Sequence, residues 1–160
     1  MPPPIEKNLV SHIINRKRYI MSVKIVKDIM HKGVIACHPN TAVTEVVRVL
    51  ADTEVHAIVV TGPDGELTGI ISHMDVIPLF GQPLEGKTAG EIMTRNVVTV
   101  SLENTVGEAM KLMVEKHIHR VVVTEAGPNG ARIPVGVLST TDIVREMRGS
   151  RWMWYFSPNP

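Results

Sequence analysis

The polar residues with the clearest spacing in this sequence form a Ser-x-x-Asp pattern that occurs twice, at Ser72/Asp75 and at Ser139/Asp142. Each pattern directly follows a short apolar run that opens with glycine. An ionised carboxylate can only accept hydrogen bonds, which suits the two hydroxyls of a vicinal diol. If a helix begins at each turn, its free backbone N–H groups also favour an anion such as a phosphate. We therefore interpret both turns as polar rims for a ligand. The second turn adds the hydroxyls of Thr140 and Thr141.

The same residues have a simpler interpretation. A Ser at the first position and an Asp three residues later form a helix-capping box with no ligand present. Taken alone, either turn favours the cap. The duplication of the wider pattern favours a dual role, in which the residues cap a helix and also face a ligand.

The sequence contains an internal repeat of three segments. Residues 26–30 (VKDIM) return as 89–93 (AGEIM), residues 55–61 (VHAIVVT) as 118–124 (IHRVVVT), and residues 69–75 (GIISHMD) as 136–142 (GVLSTTD). Two copies of one supersecondary unit predict a pseudo-twofold pair, and the interface between them is the natural place for a ligand.

Hydrophobic periodicity predicts the order β-α-β-β-α in each copy, and therefore an α+β fold of two repeats packed as a pseudo-twofold pair. In the first copy we expect a helix capped by Asn40 or Thr41, then a hairpin turn at residues 62–65 and a helix that ends near Pro78. In the second copy, Thr105 and Glu108 form a capping box.

The resulting division of the chain has five parts. These are an N-terminal extension at 1–22, repeat one at 23–81, a linker at 82–88, repeat two at 89–148 and an aromatic C-terminal tail at 149–160. The extension has apolar residues at helical spacing (Ile5, Leu9, Ile13), and Met21 would also serve as a translation start. Four of the six aromatic residues of the chain lie in the tail, which we expect to dock either on the chain's own helices or on a partner.

Composition excludes several classes of protein. A net charge of +1 gives no broad field for non-specific nucleic-acid binding. The lone Cys37 cannot form an intramolecular disulfide, and no apolar run has the length of a membrane span. We therefore expect a cytoplasmic protein with neither nucleic acid nor membrane as a partner.

Each copy opens with a D/E-I-M sequence and closes its hairpin with a G-h-h-S-x-x-D sequence, in which h is an apolar residue. Together with the order of elements, these motifs resemble the cystathionine-β-synthase (CBS) domain, in the tandem arrangement called a Bateman module. The similarity extends from about Val26 to Met147. It implies a regulatory module, with no cofactor required, that binds an adenosine-containing ligand such as AMP, ADP, ATP or S-adenosylmethionine in clefts between the repeats. The vicinal diol is then a ribose.

The family pattern forms each adenine slot from the first strand of the opposite repeat. For the cleft headed by Asp142, the resemblance implies Met30, Gly33, Val34, Ile35, Val55 and His56. For the cleft headed by Asp75, it implies Met93, Asn96, Val97, Val98, Ile118 and His119. Most of these residues are apolar, so core packing would also explain them.

The resemblance also places His119 and Arg120 close to the phosphates of a bound nucleotide, and a guanidinium offers a planar fork of donors. Repeat one has Ala57 at the position of Arg120, with no donor. We therefore expect the Asp142 cleft to hold a phosphorylated ligand better than the Asp75 cleft, unless Arg120 reaches both. The alternative is that Arg120 pairs with a surface carboxylate.

No catalytic or metal-binding pattern is evident in the sequence. The histidines lack zinc-site spacing beside a single cysteine, and no nucleophile has a plausible base. The leading hypothesis is a non-enzymatic sensor that dimerises through its helical faces, with a regulated protein partner at the C-terminal tail. The alternative is a structural dimerisation or interaction module with vestigial clefts, which Ala57 favours for one cleft.

Overall fold

The structure is a computed structural model and describes residues 24–148. Repeat one contains α1 (Val26–Ile29), β1 (His31–Lys32), β2 (Ala36–Cys37), α2 (Val43–Asp52), β3 (Ala57–Thr61), β4 (Leu67–Ser72) and α3 (His73–Val76). Repeat two contains α4 (Ala89–Ile92), β5 (Thr99–Ser101), α5 (Val106–Lys116), β6 (Arg120–Ala126), β7 (Arg132–Ser139) and α6 (Thr140–Arg148). Single 3₁₀ turns lie at Ile77–Leu79 and Pro128–Gly130. The predicted α+β class and the β-α-β-β-α order are confirmed, with a short helix, α1 or α4, in front of each copy.

The strands form two sheets, with the orders β2-β3-β4 and β1-β7-β6-β5. In each repeat, the strand before the long helix runs parallel to the strand after it, which then pairs antiparallel with its hairpin partner. The register is the same in both copies, since Ala57 lies opposite Ser72 as Arg120 lies opposite Ser139. The first residue of β3 or β6 therefore lies beside a Ser-x-x-Asp turn.

The hairpin turn and the proline break of repeat one lie where the sequence predicts them. The Gly62 N–H donates to the Glu66 carbonyl at 2.9 Å, and Gly65 has a φ of +80°, a conformation that favours glycine. Helix α3 ends at Val76 and passes into a 3₁₀ turn that contains Pro78. A proline has no amide hydrogen to continue an α-helix.

The two long helices begin differently. At α5, the Thr105 hydroxyl oxygen accepts from the Glu108 N–H at 3.1 Å, and the Thr105 N–H donates to the Glu108 carboxylate at 2.8 Å, so the predicted capping box is confirmed. The cap predicted for α2 is wrong. Ala42 occupies the N-cap position, and the hydroxyl of Thr41 accepts from the His38 N–H at 3.1 Å instead. Asn40 is exposed and is not the cap either.

The opening helix of each repeat packs into the core of the other repeat. Val26 of α1 is fully buried in the core of repeat two, beside Val121 and Leu138. Ala89 and Met93, from α4 and its C-terminal end, belong to the core of repeat one. A third cluster, which includes Val59, Leu67 and Val122, joins the two sheets. The copies are therefore interlocked, and the segments that follow α1 and α4 cross between the repeats.

Each crossing segment passes over the opposite hairpin at a glycine. A Cβ on Gly136 would lie 2.5 Å from the carbonyl oxygen of His31, and a Cβ on Gly69 would lie 2.5 Å from the sulfur of Met93. The segment after α1 then pairs with β7, and the segment after α4 forms a bridge to β4. The glycine that opens each G-h-h-S-x-x-D sequence is thus explained by the close approach of another part of the chain.

Two predictions fall outside the described residues: the N-terminal helix around residues 5–13 and the docking of the aromatic tail at 149–160. Within residues 24–148, no helix has the length and apolar character needed to cross a membrane.

Candidate functional site

The Ser-x-x-Asp turn before α6 is closed by its own hydrogen bonds. The Ser139 N–H and hydroxyl both donate to Asp142 Oδ2, each at 2.8 Å, and the Asp142 N–H donates to Ser139 Oγ at 3.3 Å. The predicted capping role is confirmed. Among the described residues, Asp142 Oδ1 has a single charged neighbour, Arg145 Nη1 at 3.8 Å, and no hydrogen-bond donor. That oxygen has the free lone pairs that a diol requires.

The turn before α3 has the same two serine-to-aspartate bonds and one further partner. The Ser72 N–H and hydroxyl donate to Asp75 Oδ2, at 2.7 and 3.1 Å. The Thr94 hydroxyl, on the segment that crosses from repeat two, donates to Asp75 Oδ1 at 2.9 Å. Both oxygens of this carboxylate therefore have a protein donor, and Oδ1 keeps one lone pair for a ligand.

The Asp75 turn faces a cleft of about 380 Å³ between the repeats. Nearly all the residues predicted for this cleft line it, from both repeats: Ser72, Asp75, Asn96, Val97, Val98, Ile118 and His119. The exception is Met93, which is buried in the core of repeat one. The fold thus brings a carboxylate, an apolar wall and basic groups to one place.

Arg120 also lines the Asp75 cleft. Its Nη1 donates to the backbone carbonyl of His56 at 2.7 Å, and no carboxylate among the described residues forms an ion pair with it. The alternative of a surface ion pair is therefore wrong. Partial burial lowers the pKa of the Arg120 guanidinium from its ordinary value, because desolvation disfavours the charged form. An anion in the cleft would stabilise this half-buried charge.

The position of Arg120 bears on the expected asymmetry between the clefts. Arg120 begins β6 opposite Ser139, in the same repeat as Asp142, but its side chain contacts repeat one at His56 and lines the cleft of Asp75. The expected preference of the Asp142 cleft for phosphate stays a prediction, and the exception made for an Arg120 that reaches across the repeats applies. Repeat one offers Ala57 at the equivalent position, which gives the Asp142 cleft no donor there.

Three of the residues predicted for the Asp142 cleft contact repeat two. Met30 packs against the core of repeat two, and Gly33 donates its N–H to the Val135 carbonyl at 2.8 Å. Val34 packs on the cluster that joins the sheets, beside Val122. These contacts place the crossing segment against the hairpin that ends at Ser139 and Asp142.

The other predicted residues of the Asp142 set lie close to their own repeat. Ile35 is half exposed, and its carbonyl accepts from the Val59 N–H. Val55 packs against the core of repeat one. The ring of His56 lies 5.8 Å from the ring of His73, centroid to centroid, and His73 lines the Asp75 cleft.

In the first turn of α6, Thr140 donates its N–H to the His119 carbonyl at 2.8 Å, and Thr141 is exposed.

Sequence reasoning missed four polar or flexible residues of the Asp75 cleft: His73, Met74, Thr94 and His117. His73 and Met74 occupy the two unspecified positions of Ser-x-x-Asp, so the motif itself could have identified them. Thr94 directly follows Met93, and its role depends on the crossing of the chain. His117 ends α5 in the left-handed conformation, with a φ of +51°, which places it at the cleft.

A second depression, of about 500 Å³, lies on repeat one and has a different character. Its lining side chains are apolar except for Gln82, which already donates to the Pro78 carbonyl at 3.1 Å. It therefore offers a small polar ligand few polar side-chain groups, which are those of Gln82. In residues 24–148, no group of three His, Cys, Asp or Glu side chains is placed to hold a metal ion.

Comparison with known proteins agrees with this architecture. The family model of the CBS domain matches the chain twice, at residues 26–80 and 89–149. Among solved structures, the CBS domain pair of protein MJ0100, in complex with 5′-methylthioadenosine and S-adenosyl-L-methionine, is 30% identical with a TM-score of 0.70. The similarity covers 81% of this chain and 99% of that chain.

Two curated relatives give similar identities. L-aspartate semialdehyde sulfurtransferase of Methanocaldococcus jannaschii is 30% identical over 129 residues, which are 81% of this chain and 24% of the relative. Protein YlbB of Bacillus subtilis is also 30% identical over 129 residues, which are 78% of this chain and 86% of the relative. The chain thus spans about a quarter of the sulfurtransferase.

Proposed function

Because the chain belongs to the CBS domain family, we propose that it is a regulatory module that binds an adenosine-containing ligand in the clefts between its two repeats. The observation that carries this proposal is the Asp75 cleft, where residues of the duplicated motifs from both repeats lie together at the repeat interface. A cleft of about 380 Å³ lies within the range of small-molecule sites.

Each part of the ligand has matching chemistry in the cleft. The ribose hydroxyls would donate to Asp75 or, in the other cleft, to Asp142. The apolar wall of Val97, Val98 and Ile118 would hold the adenine, with backbone groups reading its edge. Arg120 would bind a phosphate through its fork of donors. The CBS domain pair of MJ0100, which binds 5′-methylthioadenosine and S-adenosyl-L-methionine, supports the same class of ligand here.

We propose a binding role rather than catalysis. The carboxylates of both turns are engaged by their own serines, which suits capping and ligand binding. Burial raises the pKa of the Cys37 thiol, which lowers the thiolate fraction that a nucleophile needs. A ligand that binds one conformation of the module more tightly than another would shift the population toward that conformation. The regulated protein would respond to this change in the geometry of the clefts.

A homodimer is the second part of the proposal. The outer faces of α5 and α6 expose Met110, Val114, Val144 and Met147, each with at least 46% of its surface accessible. Phe80, after α3, is 95% exposed. Apolar side chains of this size in one region are typical of protein interfaces. The tail at 149–160 is a candidate contact for a regulated partner.

Thermal melts with and without ligand test the binding proposal. We expect at least one of AMP, ADP, ATP, S-adenosylmethionine and 5′-methylthioadenosine to raise the melting temperature. Saturation at a hundred times the Kd adds about 2.7 kcal/mol. Ribose 5-phosphate, which lacks adenine, is the matched control and should have little effect. The absence of any shift at millimolar concentrations of all five compounds would contradict the proposal.

The alternative function is a dimerisation or interaction module with vestigial clefts. The Thr94 hydroxyl favours it for one cleft, because it already takes one of the two lone pairs of Asp75 Oδ1. Sedimentation of wild type and Met147→Glu, taken together with the thermal melts, distinguishes the two. A dimer that Met147→Glu dissociates, in a protein that no adenosine compound stabilises, would support the alternative.

A further inference from the structure

The Asp75 cleft is lined by an excess of basic side chains. His73, His117, His119 and Arg120 all line it, whereas Asp75 is the single carboxylate among its lining residues. Asp75 is moreover engaged by Ser72 and Thr94. Among these side chains, Arg120 carries a permanent charge and has no carboxylate partner in residues 24–148, so its guanidinium favours an anion in this cleft.

The equivalent positions around Asp142 have a different charge. The shared strand register makes Ala57 the counterpart of Arg120, and the internal repeat aligns His56 with His119. The same alignment of the two copies makes Glu54 the counterpart of His117 and Thr140 the counterpart of His73. Three of the four basic residues thus become alanine, threonine or glutamate, and one histidine is retained.

We infer that the two clefts sort adenosine ligands by charge. The Asp75 cleft takes a phosphate-bearing adenosine, and the Asp142 cleft takes an uncharged or sulfonium-bearing adenosine. This inference rests on the proposed function and adds to it the ligand class of each cleft. It reverses the assignment that the sequence suggests, because Arg120 serves the cleft of the opposite repeat.

The local contacts support this division. Arg120 is half-buried and bonds a neutral carbonyl, so a phosphate is the missing countercharge in its cleft. A sulfonium in the same place would face Arg120 at close range and be repelled. Glu54 is the counterpart of His117 in the internal repeat, and at that position its carboxylate would act together with Asp142 to attract a sulfonium. Arg145 opposes them only weakly, because its side chain is 68% exposed and is screened by solvent.

Calorimetric titration of AMP, adenosine and S-adenosylmethionine tests the inference on paired variants. Arg120→Ala and Arg120→Gln should weaken AMP by roughly ten- to hundred-fold, since a charge-assisted bond is lost. They should change adenosine and S-adenosylmethionine by less than about two-fold, the scatter expected without a lost contact. The loss for AMP should shrink as salt rises. Arg48→Ala, on an exposed helical face outside both clefts, is the control.

Glu54→Gln is the reciprocal variant. It should weaken S-adenosylmethionine several-fold, as expected for a partly screened charge pair, and leave AMP unchanged. Equal losses of AMP and adenosine in the Arg120 variants, or S-adenosylmethionine binding that depends on Arg120, would overturn the charge sorting and leave the adenosine module in place. Failure of the wild type to bind any of the three would overturn the proposed function and the sorting together.

Discussion

The turns that precede α3 and α6 follow the same strand register and have the same serine-to-aspartate bonds, and they differ in the third partner of the carboxylate. At Asp75, the Thr94 hydroxyl donates to Oδ1 at 2.9 Å. At Asp142, Oδ1 has Arg145 at 3.8 Å and no hydrogen-bond donor among residues 24–148. The duplication therefore preserves the capping bonds of the two turns, while the neighbouring side chains determine which carboxylate oxygen has a further partner.

The crossing points of the two repeats differ in the same way, and they give the largest expected effect on folding. A methyl group on Gly136 would meet the backbone oxygen of His31, which cannot move alone. A methyl group on Gly69 would meet the side chain of Met93, which can rotate. We expect Gly136→Ala to cost about 1–3 kcal/mol of unfolding free energy, and Gly69→Ala to cost less. Urea unfolding of both variants measures this, and equal losses would show that the two crossings are equally rigid.

Removal of the Asp142 carboxylate tests the dual role of the turn. Asp142→Ala should cost about 1 kcal/mol of folding through the lost cap. It should also weaken S-adenosylmethionine by on the order of 1–3 kcal/mol, because the diol loses its acceptor. Chemical unfolding and calorimetry separate the two effects, with Asp75→Ala as the matched comparison. A folding loss with unchanged affinity for every adenosine compound would leave only the capping role.

The Thr94 hydroxyl and a ribose would both donate to Asp75 Oδ1, and removal of the hydroxyl should have a smaller effect on stability. Thr94→Val keeps the shape of the side chain and removes its donor. Since Thr94 is exposed, we expect a folding loss at the lower end of about 0.5–1.5 kcal/mol. With both lone pairs of Oδ1 available to the ribose, AMP should bind several-fold more tightly, because its hydroxyls no longer share this oxygen with Thr94. Weaker AMP binding in calorimetry would mean that the Thr94 hydroxyl contacts the ligand itself.

The N-termini of α2 and α5 differ in their side-chain caps, and this difference gives the smallest expected effect on stability. The contribution of the Glu108 carboxylate to the cap of α5 depends on pH. Hydrogen bonds from Asn104 and from the backbone of Thr105 lower the pKa of Glu108. Its stabilisation is therefore complete above the unfolded pKa of about 4.3 and is lost as the pH falls through the folded pKa. We expect Glu108→Gln to melt below wild type at neutral pH and to converge with it in acid.

Glu45→Gln, at the same position of α2, is the control for that experiment. Glu45 contacts Arg48 and α2 has no side-chain cap, so its replacement should have a smaller effect at neutral pH. A Glu108→Gln deficit that persists unchanged in acid would contradict the role of the carboxylate in the cap.

Local motifs were sufficient to predict much of the fold and part of the site. The turn at Ser139 and Asp142 and the capping box at Thr105 depend on residues three positions apart, which sequence spacing reveals directly. The prediction that Thr41 caps α2 was wrong because its hydroxyl oxygen accepts from the His38 N–H, in the same short turn, instead of from an N–H of the helix. Propensity alone cannot rank two such local bonds.

Two features of the Asp75 cleft depend on tertiary structure. The sequence predicts Arg120 beside the cleft of its own repeat and gives no sign of Thr94, because both positions depend on the exchange of α1 and α4 between the repeats. That exchange leaves only an indirect trace in the sequence, the glycines at 69 and 136. Residue pairs from opposite repeats, such as Arg120 with His56, have no fixed spacing that a motif could encode.

The most direct test of the account is a calorimetric titration of AMP into the protein after saturation with S-adenosylmethionine. If the clefts bind differently charged adenosine ligands, AMP should bind with a stoichiometry of about one per chain and with the affinity that it has in the absence of S-adenosylmethionine. Competition, in which the heat of AMP binding disappears in proportion to the S-adenosylmethionine bound, would show that both ligands use one cleft and would contradict the account.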